Sequence, residues 1–232
     1  MNLARQLPFD FSPRPALGLD DFMVVPGNAD AVSWLDKASD WPNGVLAIYG
    51  PAGCGKTHLA HVWQSMSGAA IHQASDLNET TAFEWVEANK TQLNLVLEDG
   101  DTGVDEVALF HFYNLIIQAR GALLLTGSKP PAQWQVKLPD LASRLGAVTT
   151  AELAPPDDDL FAALLIKQFA DRQLKVSAAV VSYLVARLER SFDAARRVVR
   201  NLDQTALAGQ REVTKPLARQ VLQQLEIENG EF

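Results

Sequence analysis

The sequence predicts an α/β domain built on a parallel sheet, followed by a small helical domain. Two observations carry this prediction. Between residues 45 and 153, short apolar runs alternate with segments of helical periodicity, which is typical of a parallel sheet covered on both faces. After Pro155 and Pro156 the pattern is helical throughout. We therefore divide the chain into an extended, proline-containing arm (1–19), an α/β domain (20–154) and a helical domain (155–232).

The individual elements follow from apolar spacing and from turn residues. Before the first strand, apolar residues recur at helical spacing from Ala31 to Ala38, behind Asn28, a suitable helix cap. In the α/β domain the predicted strands are 45–49, 70–73, 93–97, 122–126 and 148–153, and the predicted helices are 56–65, 80–89 and 104–119. In the helical domain we predict helices over 160–169, 177–188, 193–208 and 215–225, with Ser177, Asp193 and Thr214 as start signals.

Composition excludes several classes of protein. A net charge of −8 and a pI near 5.0 repel the phosphate backbone of nucleic acid, so non-specific coating of duplex DNA is not expected. The hydrophobic content of 47% is enough for a buried core and argues against disorder. No apolar run approaches the roughly 20 residues of a membrane span, and no secretory leader is recognisable. With a single cysteine, Cys54, these features indicate a cytoplasmic protein.

A P-loop motif is the most specific feature of the sequence. Residues 50–57 read G-P-A-G-C-G-K-T and match the pattern G-x-x-x-x-G-K-[ST] between a predicted strand and a predicted helix. Backbone N–H groups and the helix N-terminus surround phosphate in such loops, Lys56 is expected to reach the β and γ phosphates, and the Thr57 hydroxyl to bind Mg²⁺. The alternative is a glycine-rich turn with a chance Lys-Thr pair. The predicted nucleotide-binding residues are Gly50, Pro51, Ala52, Gly53, Cys54, Gly55, Lys56, Thr57 and His58.

Cys54 and Asp99 each allow two interpretations. Cys54 lies at a helix N-terminus, which lowers the pKa of a thiol and would permit oxidative control; the alternative is a small neutral side chain that fills space. Asp99 follows the predicted strand 93–97 and is the candidate carboxylate for Mg²⁺. Because Asp101 and further acidic residues follow closely, a solvated acidic turn is the alternative.

A resemblance to a known family rests on the P-loop, Asp99, the strand 123–128 and the segment 138–145. Together these segments resemble the AAA+ module of the DnaA family of replication initiators and, more closely, the shorter Hda family of DnaA inactivators. The resemblance runs from about Phe22 to the C-terminus, and residues 126–145 are its most specific part. It implies an AAA+ P-loop NTPase core with a helical lid that binds ADP or ATP with Mg²⁺, ADP being typical of the Hda family.

The resemblance also implies roles for residues outside the P-loop. Thr126 and Ser128 correspond to sensor 1, near the γ-phosphate, and Arg196 corresponds to the sensor 2 arginine of the lid. Residues 21–25, which include Val24 and Val25, would lie near the adenine.

Arg144 corresponds to the arginine finger of the family, a cation that enters a neighbour's nucleotide site. In the absence of the surrounding segment, a surface ion pair would be the simpler interpretation of this arginine. For Arg197 and Arg200, a solvated basic face is the alternative to phosphate contact.

Two departures from the family pattern bear on activity. AAA+ enzymes that hydrolyse ATP well have a second acid directly after the metal carboxylate, and here that residue is Gly100, so we expect weak intrinsic hydrolysis with the nucleotide as a structural ligand. If the strand register is shifted by one residue, Glu98 takes the metal and Asp99 becomes the second acid, which restores a competent site. The chain also stops at Phe232, so we expect no DNA-reading helix-turn-helix domain of the DnaA kind, and contact with DNA only through a partner.

The N-terminal arm suggests a partner. Residues 6–11 resemble the motif by which Hda proteins and many polymerases bind the sliding clamp, the β subunit of the replicative polymerase. An extended segment with apolar anchors loses little entropy on docking into an apolar groove. The alternative is that the same residues fold onto the chain's own core or onto a second copy. The predicted clamp-binding residues are Gln6, Leu7, Pro8, Phe9 and Phe11.

Two function hypotheses from different classes follow. In the first, the chain is a negative regulator of replication initiation that binds the clamp, holds a nucleotide and presents Arg144 to ATP bound by DnaA. In the second, it is a self-oligomerising AAA+ ATPase that acts as a loader of the helicase or transposition type. A nucleotide-gated adaptor on the clamp, with no effect on hydrolysis, is a third possibility.

Overall fold

The computed structural model describes residues 24 and 26–228, without the side chains of 193 and 226–228. The described residues form two compact units. The first unit contains the chain as far as Tyr49 and then Thr57–Glu152. The second unit contains Gly50–Lys56 and the chain from Leu153 onward.

The first unit is built on a five-stranded parallel sheet, which confirms the predicted fold class. Its strands are β1 (Val45–Tyr49), β2 (Ala70–Gln73), β3 (Asn94–Glu98), β4 (Ala122–Gly127) and β5 (Thr149–Glu152). They lie in the order β2-β3-β4-β1-β5. Because all neighbours are parallel, the carboxyl ends of β1, β3 and β4 meet at the same edge of the sheet. The residues that follow β3 and β4 are therefore brought together by the topology.

Side chains alternate between the two faces of the sheet along the central strands, and both sets are buried, so the core of the first unit is divided between the two faces. On one face, Ala47, Leu95 and Leu123 belong to a buried cluster that also contains apolar residues of the helices after β2, β3 and β4. The intervening residues, such as Ile48 and Val96, are equally buried and point to the opposite face. Both faces of the sheet are thus covered, as expected for a parallel sheet.

Five helices of this region are α1 (Ala29–Asp36), α2 (Lys56–Ser67), α3 (Glu79–Ala88), α4 (Glu106–Gln118) and α5 (Pro139–Gly146). Helix α4 begins after Asp105, whose carboxylate accepts the N–H groups of Val107 and Ala108 at 2.9 and 3.0 Å. It therefore starts two residues later than the predicted start at 104. Helix α5 is an addition to the predicted elements. It is only eight residues long and begins with Pro139, and its two buried leucines, Leu141 and Leu145, anchor it to the core.

The second unit contains four further helices: α6 (Asp158–Asp171), α7 (Ala178–Val185), α8 (Phe192–Ala208) and α9 (Lys215–Glu228). Helix α6 begins two residues before the predicted start at 160, because the Asp157 carboxylate caps it and accepts the Leu160 N–H at 2.8 Å. The predicted start signal at Asp193 is wrong. Helix α8 begins at Phe192 because the Ser191 hydroxyl oxygen accepts the Ala194 N–H at 3.0 Å. Among the helices in the described part of the chain, none is long and apolar enough to cross a membrane.

Candidate nucleotide site

The P-loop joins the end of β1 to the start of α2. Gly53 and Gly55 have φ angles of +72° and +108°, a region that side-chain-bearing residues rarely adopt. Gly53 is constrained twice, because a Cβ atom there would lie 2.5 Å from the Ser191 Cβ, and its carbonyl oxygen accepts the Phe192 N–H at 3.1 Å. Glycine is therefore required at this position both for backbone conformation and for close approach.

Lys56 stabilises the loop conformation. Its ammonium donates to the carbonyl oxygens of Gly50 and Pro51 at 2.8 and 3.0 Å. Lys56 is also the first residue of α2, so its charge lies at the helix end where orphan N–H groups favour an anion. Thr57 follows and is exposed, and His58 is half-buried. The motif residues thus lie in a glycine-containing loop between β1 and α2, as the motif predicts, and their role in binding phosphate stays a prediction.

Cys54 fills space inside this loop. It is 3% exposed, and its Sγ lies so near Gly50 that a Cβ atom on Gly50 would come within 2.8 Å of it. Burial raises the pKa of the Cys54 thiol, and the positive charge of Lys56 only partly opposes this rise. The expectation that the helix N-terminus would lower this pKa is therefore wrong, because desolvation outweighs it. A neutral buried thiol favours the packing interpretation over oxidative control.

The two acidic residues at the end of β3 lie in different environments. Glu98 ends the strand, is 4% exposed, and accepts a hydrogen bond from Gln73 Nε2 of β2 at 3.2 Å. Asp99 is the first residue after the strand and is exposed, with a φ of +54°. Its carboxylate is therefore the accessible one of the pair.

The two predicted sensor 1 residues hold the turn that follows Asp99. Thr126 is 1% exposed; its hydroxyl oxygen accepts the Asp99 N–H at 3.1 Å, and its carbonyl oxygen accepts the Gly100 N–H at 2.8 Å. Ser128 is exposed, and both its N–H, at 2.7 Å, and its hydroxyl donate to the Asp101 carboxylate. These hydrogen bonds connect the ends of β3 and β4 and stabilise the turn that carries Asp99.

Gly100 is enclosed by Trp134. A Cβ atom on Gly100 would lie 2.5 and 2.9 Å from two atoms of the indole ring. The ring is 9% exposed and is held by the hydrogen bond from its Nε1 to the Lys129 carbonyl oxygen at 2.9 Å. An acidic side chain after Asp99 would therefore have to displace Trp134. No local signal in the sequence reveals that this tryptophan covers Gly100.

Arg144 lies in the last turn of α5, the helix that the sequence pattern did not predict. Its side chain is exposed, and the guanidinium carbon Cζ lies over the rings of Phe110 and Tyr113, 5.3 and 5.7 Å from their centroids. Across the described residues, no carboxylate forms an ion pair with this guanidinium.

The remaining predicted site residues are distributed as follows. On α8, Arg196 and Arg200 are exposed and Arg197 is half-buried, while the neighbouring Val198 and Val199 belong to the core. Val24 is 41% exposed. Val25 and the clamp-binding residues of the arm lie outside the described residues. The described residues contain no cluster of three or more His, Cys, Asp or Glu side chains that could hold a metal by themselves. Mg²⁺ does not need such a cluster, because it commonly binds one or two protein oxygens together with phosphate.

Comparisons with known proteins identify relatives of this architecture. Residues 157–222 match the family model described as the lid domain of Hda. Domain III of the replication initiation protein DnaA from Thermotoga maritima is similar in structure, with a TM-score of 0.72 and 20% identity over 91% of this chain and 97% of that chain. The family match covers only this C-terminal segment of the chain, and at 20% identity the likeness to DnaA domain III concerns the fold.

Two other solved structures share the fold. AMPPCP-bound DnaA from Aquifex aeolicus has a TM-score of 0.68 and 18% identity, and the match covers 87% of this chain and 68% of that chain. The RuvB Holliday junction branch migration motor of Thermotoga maritima has a TM-score of 0.67 and 14% identity, covering 87% of this chain and 69% of that chain. At these identities the likeness concerns the fold.

Proposed function

We propose that the chain is a negative regulator of replication initiation that stimulates the hydrolysis of ATP bound to DnaA. The environment of Arg144 is the observation that carries this proposal. Its guanidinium is exposed, rests on two aromatic rings and pairs with no carboxylate of the described residues. Such a cation can neutralise the charge that develops on a neighbour's phosphate during transfer.

In its own site the chain binds an adenine nucleotide, with ADP as a structural ligand. The loop N–H groups and Lys56 contact the phosphates, and Arg196 of the lid contributes a further positive charge. Thr57 and Asp99 hold Mg²⁺, which neutralises phosphate charge and orients the phosphate oxygens when bound. The left-handed glycines of the loop and the exposed carboxylate of Asp99 support this assignment. Glu98 is the weaker candidate for the metal, because it is buried and hydrogen-bonded to Gln73.

Weak intrinsic hydrolysis is part of the proposal. An attacking water needs a carboxylate that can orient it, and Trp134 covers the position after Asp99 where such a group would stand. Asp101, the next acid along the chain, is engaged by the N–H and hydroxyl of Ser128. Both features favour a chain that supplies a catalytic cation and turns over little ATP itself.

Clamp binding through residues 6–11 completes the proposal and rests on the sequence motif. Replacement of Leu7 and Phe9 by alanine should abolish binding to the sliding clamp and leave nucleotide affinity unchanged, because the anchors lie far along the chain from the P-loop. Retained clamp binding in this variant would remove the arm from the proposal.

ATP turnover by DnaA, with the clamp loaded on DNA, tests the proposed function. We expect turnover to rise when the chain is added and to stay at its basal level with Arg144→Ala. Arg187→Ala is a matched control, since Arg187 is also exposed and lies over an aromatic ring, that of Tyr183, at 4.0 Å. If the purified chain alone hydrolyses ATP at roughly 1 s⁻¹ or faster and Lys56→Ala abolishes this, the self-oligomerising loader is correct instead.

A further inference from the structure

Helix α4 directs three different side chains toward α5, the helix that carries Arg144. Glu106, Phe110 and Tyr113 are spaced by four and three residues, so they share one face of α4. We call these three residues the α4 stripe. Each of them contacts either Arg144 itself or the backbone that leads into α5.

Glu106 holds the start of α5. Its carboxylate accepts the Lys137 N–H at 2.9 and 3.1 Å and the Leu138 N–H at 2.7 Å. Leu138 is the N-cap residue of α5, and its apolar side chain offers no acceptor to the helix. A carboxylate from α4 supplies the negative charge that the helix N-terminus favours. Glu106 therefore determines where α5 begins.

Phe110 and Tyr113 hold the other end of α5. The Arg144 Cζ lies 5.3 and 5.7 Å from their ring centroids, within the distance of about 6 Å over which a cation is attracted to an aromatic face. Burial raises the pKa of Tyr113, and the nearby charge of Arg144 opposes that rise. The rings contact the guanidinium, and Arg144 as a whole remains exposed.

The two contacts have matching spacings on the two helices. Leu138 and Arg144 are separated by a rise of about 9 Å along α5. Along α4, the rise from Glu106 is about 6 Å to Phe110 and about 10 Å to Tyr113. The buried side chains of Leu141 and Leu145 fix the rotation of α5 about its axis. The position of α5 and the orientation of Arg144 are thus set by the chain's own packing before any partner binds.

We propose that the α4 stripe positions Arg144 for use as an arginine finger, an inference that rests on the proposed function. The three residues are positioning residues, because they act through Arg144 and α5. A guanidinium that is already held against two rings loses less side-chain freedom when it engages a phosphate. Loss of the stripe should therefore lower the maximal stimulated rate, while the concentration of chain needed for half-maximal stimulation stays unchanged.

Hydrolysis of DnaA-bound ATP, titrated with the chain on clamp-loaded DNA, measures this effect. We expect Phe110→Leu and Tyr113→Leu each to lower the maximal rate about two- to fivefold, and the double variant about tenfold. Phe110→Trp and Tyr113→Phe should retain activity because they keep an aromatic face. Glu106→Ala should lower the maximal rate, with partial rescue in Glu106→Gln, whose amide oxygen still accepts a hydrogen bond. Phe83→Leu, at an exposed aromatic residue of α3, is the matched control.

A second measurement tests the contact without using activity. In the NMR spectrum of the chain alone, Phe110→Leu should move the Arg144 Nε–Hε signal, because the ring current of Phe110 is lost, whereas Phe83→Leu should leave it in place. An unmoved signal would overturn the contact itself. A moved signal with unchanged rates in the leucine variants would overturn the positioning role. If Arg144→Ala leaves stimulation intact, the proposed function fails, and the NMR result still reports separately on the contact.

Discussion

The turn after β3 and the last turn of α5 hold their charged groups in opposite ways. In the turn, the carboxylates of Glu98 and Asp101 accept hydrogen bonds from Gln73 and Ser128 of the same chain. In α5, the guanidinium of Arg144 lies on aromatic faces and is exposed. Glu98 and Asp101 are therefore engaged within the chain, whereas Arg144 is exposed and pairs with no carboxylate of the described residues.

This difference bears on two activities: hydrolysis of ATP in the chain's own site and activation of hydrolysis in a neighbour. A chain that hydrolyses ATP needs an acid to orient water in its own site. A chain that activates a neighbour needs an exposed cation that forms no ion pair within its own chain. In the proposed function, the Gly100–Trp134 contact limits hydrolysis in the chain's own site, and Arg144 on its two aromatic rings acts on a partner. The two regions can therefore be altered independently.

The largest expected effect concerns the cation. Arg144→Ala should reduce the stimulated hydrolysis of DnaA-bound ATP by about 10³-fold, the lower end of the range for arginine fingers. Single-turnover hydrolysis of labelled ATP on DnaA measures it. Clamp binding and nucleotide affinity of the variant should equal those of the wild type, because Arg144 acts on the partner's nucleotide in the proposed mechanism. A fall of tenfold or less, matched by Arg187→Ala, would contradict the assignment.

The next effect concerns the chain's own phosphate-binding loop. Lys56→Ala should weaken the binding of ADP about 10- to 100-fold, since a hydrogen bond to a charged group contributes about 1.5–3 kcal/mol. Titration with a fluorescent ADP analogue measures this affinity. Lys129→Ala, at an exposed lysine outside the loop, is the control and should bind ADP as the wild type does. Equal affinities in the two variants would show that the loop does not hold the phosphates.

A smaller effect tests how firmly Trp134 covers Gly100. Gly100→Ala should lower the free energy of unfolding by about 1–3 kcal/mol, because the added methyl group overlaps a ring that is hydrogen-bonded in place. Gly146→Ala is the matched control, since nothing lies within 4 Å of a Cβ atom there. Its stability should be unchanged or raised by up to about 1 kcal/mol. Urea unfolding compares the two, and equal stabilities would contradict a fixed tryptophan.

The smallest effect is the pH dependence contributed by Cys54. Because burial raises the pKa of this thiol in the folded state, the unfolded chain loses its proton first as the pH rises past the ordinary value of 9.0. The thiol therefore stabilises the folded state fully below that pH, and this contribution is lost as the pH rises through the folded-state pKa. Urea unfolding at pH 8 and pH 10 should show a larger loss of stability for the wild type than for Cys54→Ala. An equal loss would mean that the thiol is not buried as a neutral group.

Elements with a clear apolar run or motif in the sequence were predicted well. The predicted strand 70–73 matches β2 in both bounds, and the P-loop lies between a strand and a helix as its motif requires. The start of α8 was misplaced by one residue because Ser191 and Asp193 are both suitable caps, and only the backbone geometry selects Ser191. Helix α5 was not predicted, since eight residues with an initial proline give little periodicity and their two leucines gain meaning only against the core.

The candidate site also contains features that are local in the sequence and features that depend on tertiary contacts. The P-loop motif at residues 50–57 and the acidic residues after β3 could be read from motif and strand pattern, because each depends on neighbours in the sequence. The accessibility of Asp99 relative to Glu98 depends on the pairing of β2 with β3, which brings Gln73 beside Glu98. The contact between Trp134 and Gly100 joins residues 34 positions apart, and no spacing rule predicts it.

The sequence by itself determined the α/β class, the phosphate-binding loop and the lack of an acid after Asp99, because these features are local in the chain. Only the tertiary structure decided that Trp134 encloses Gly100, that Cys54 is a buried neutral thiol, and that Arg144 rests on two rings of α4. The physical reason is that desolvation and contact between side chains depend on which distant segments the packed sheet and helices bring together.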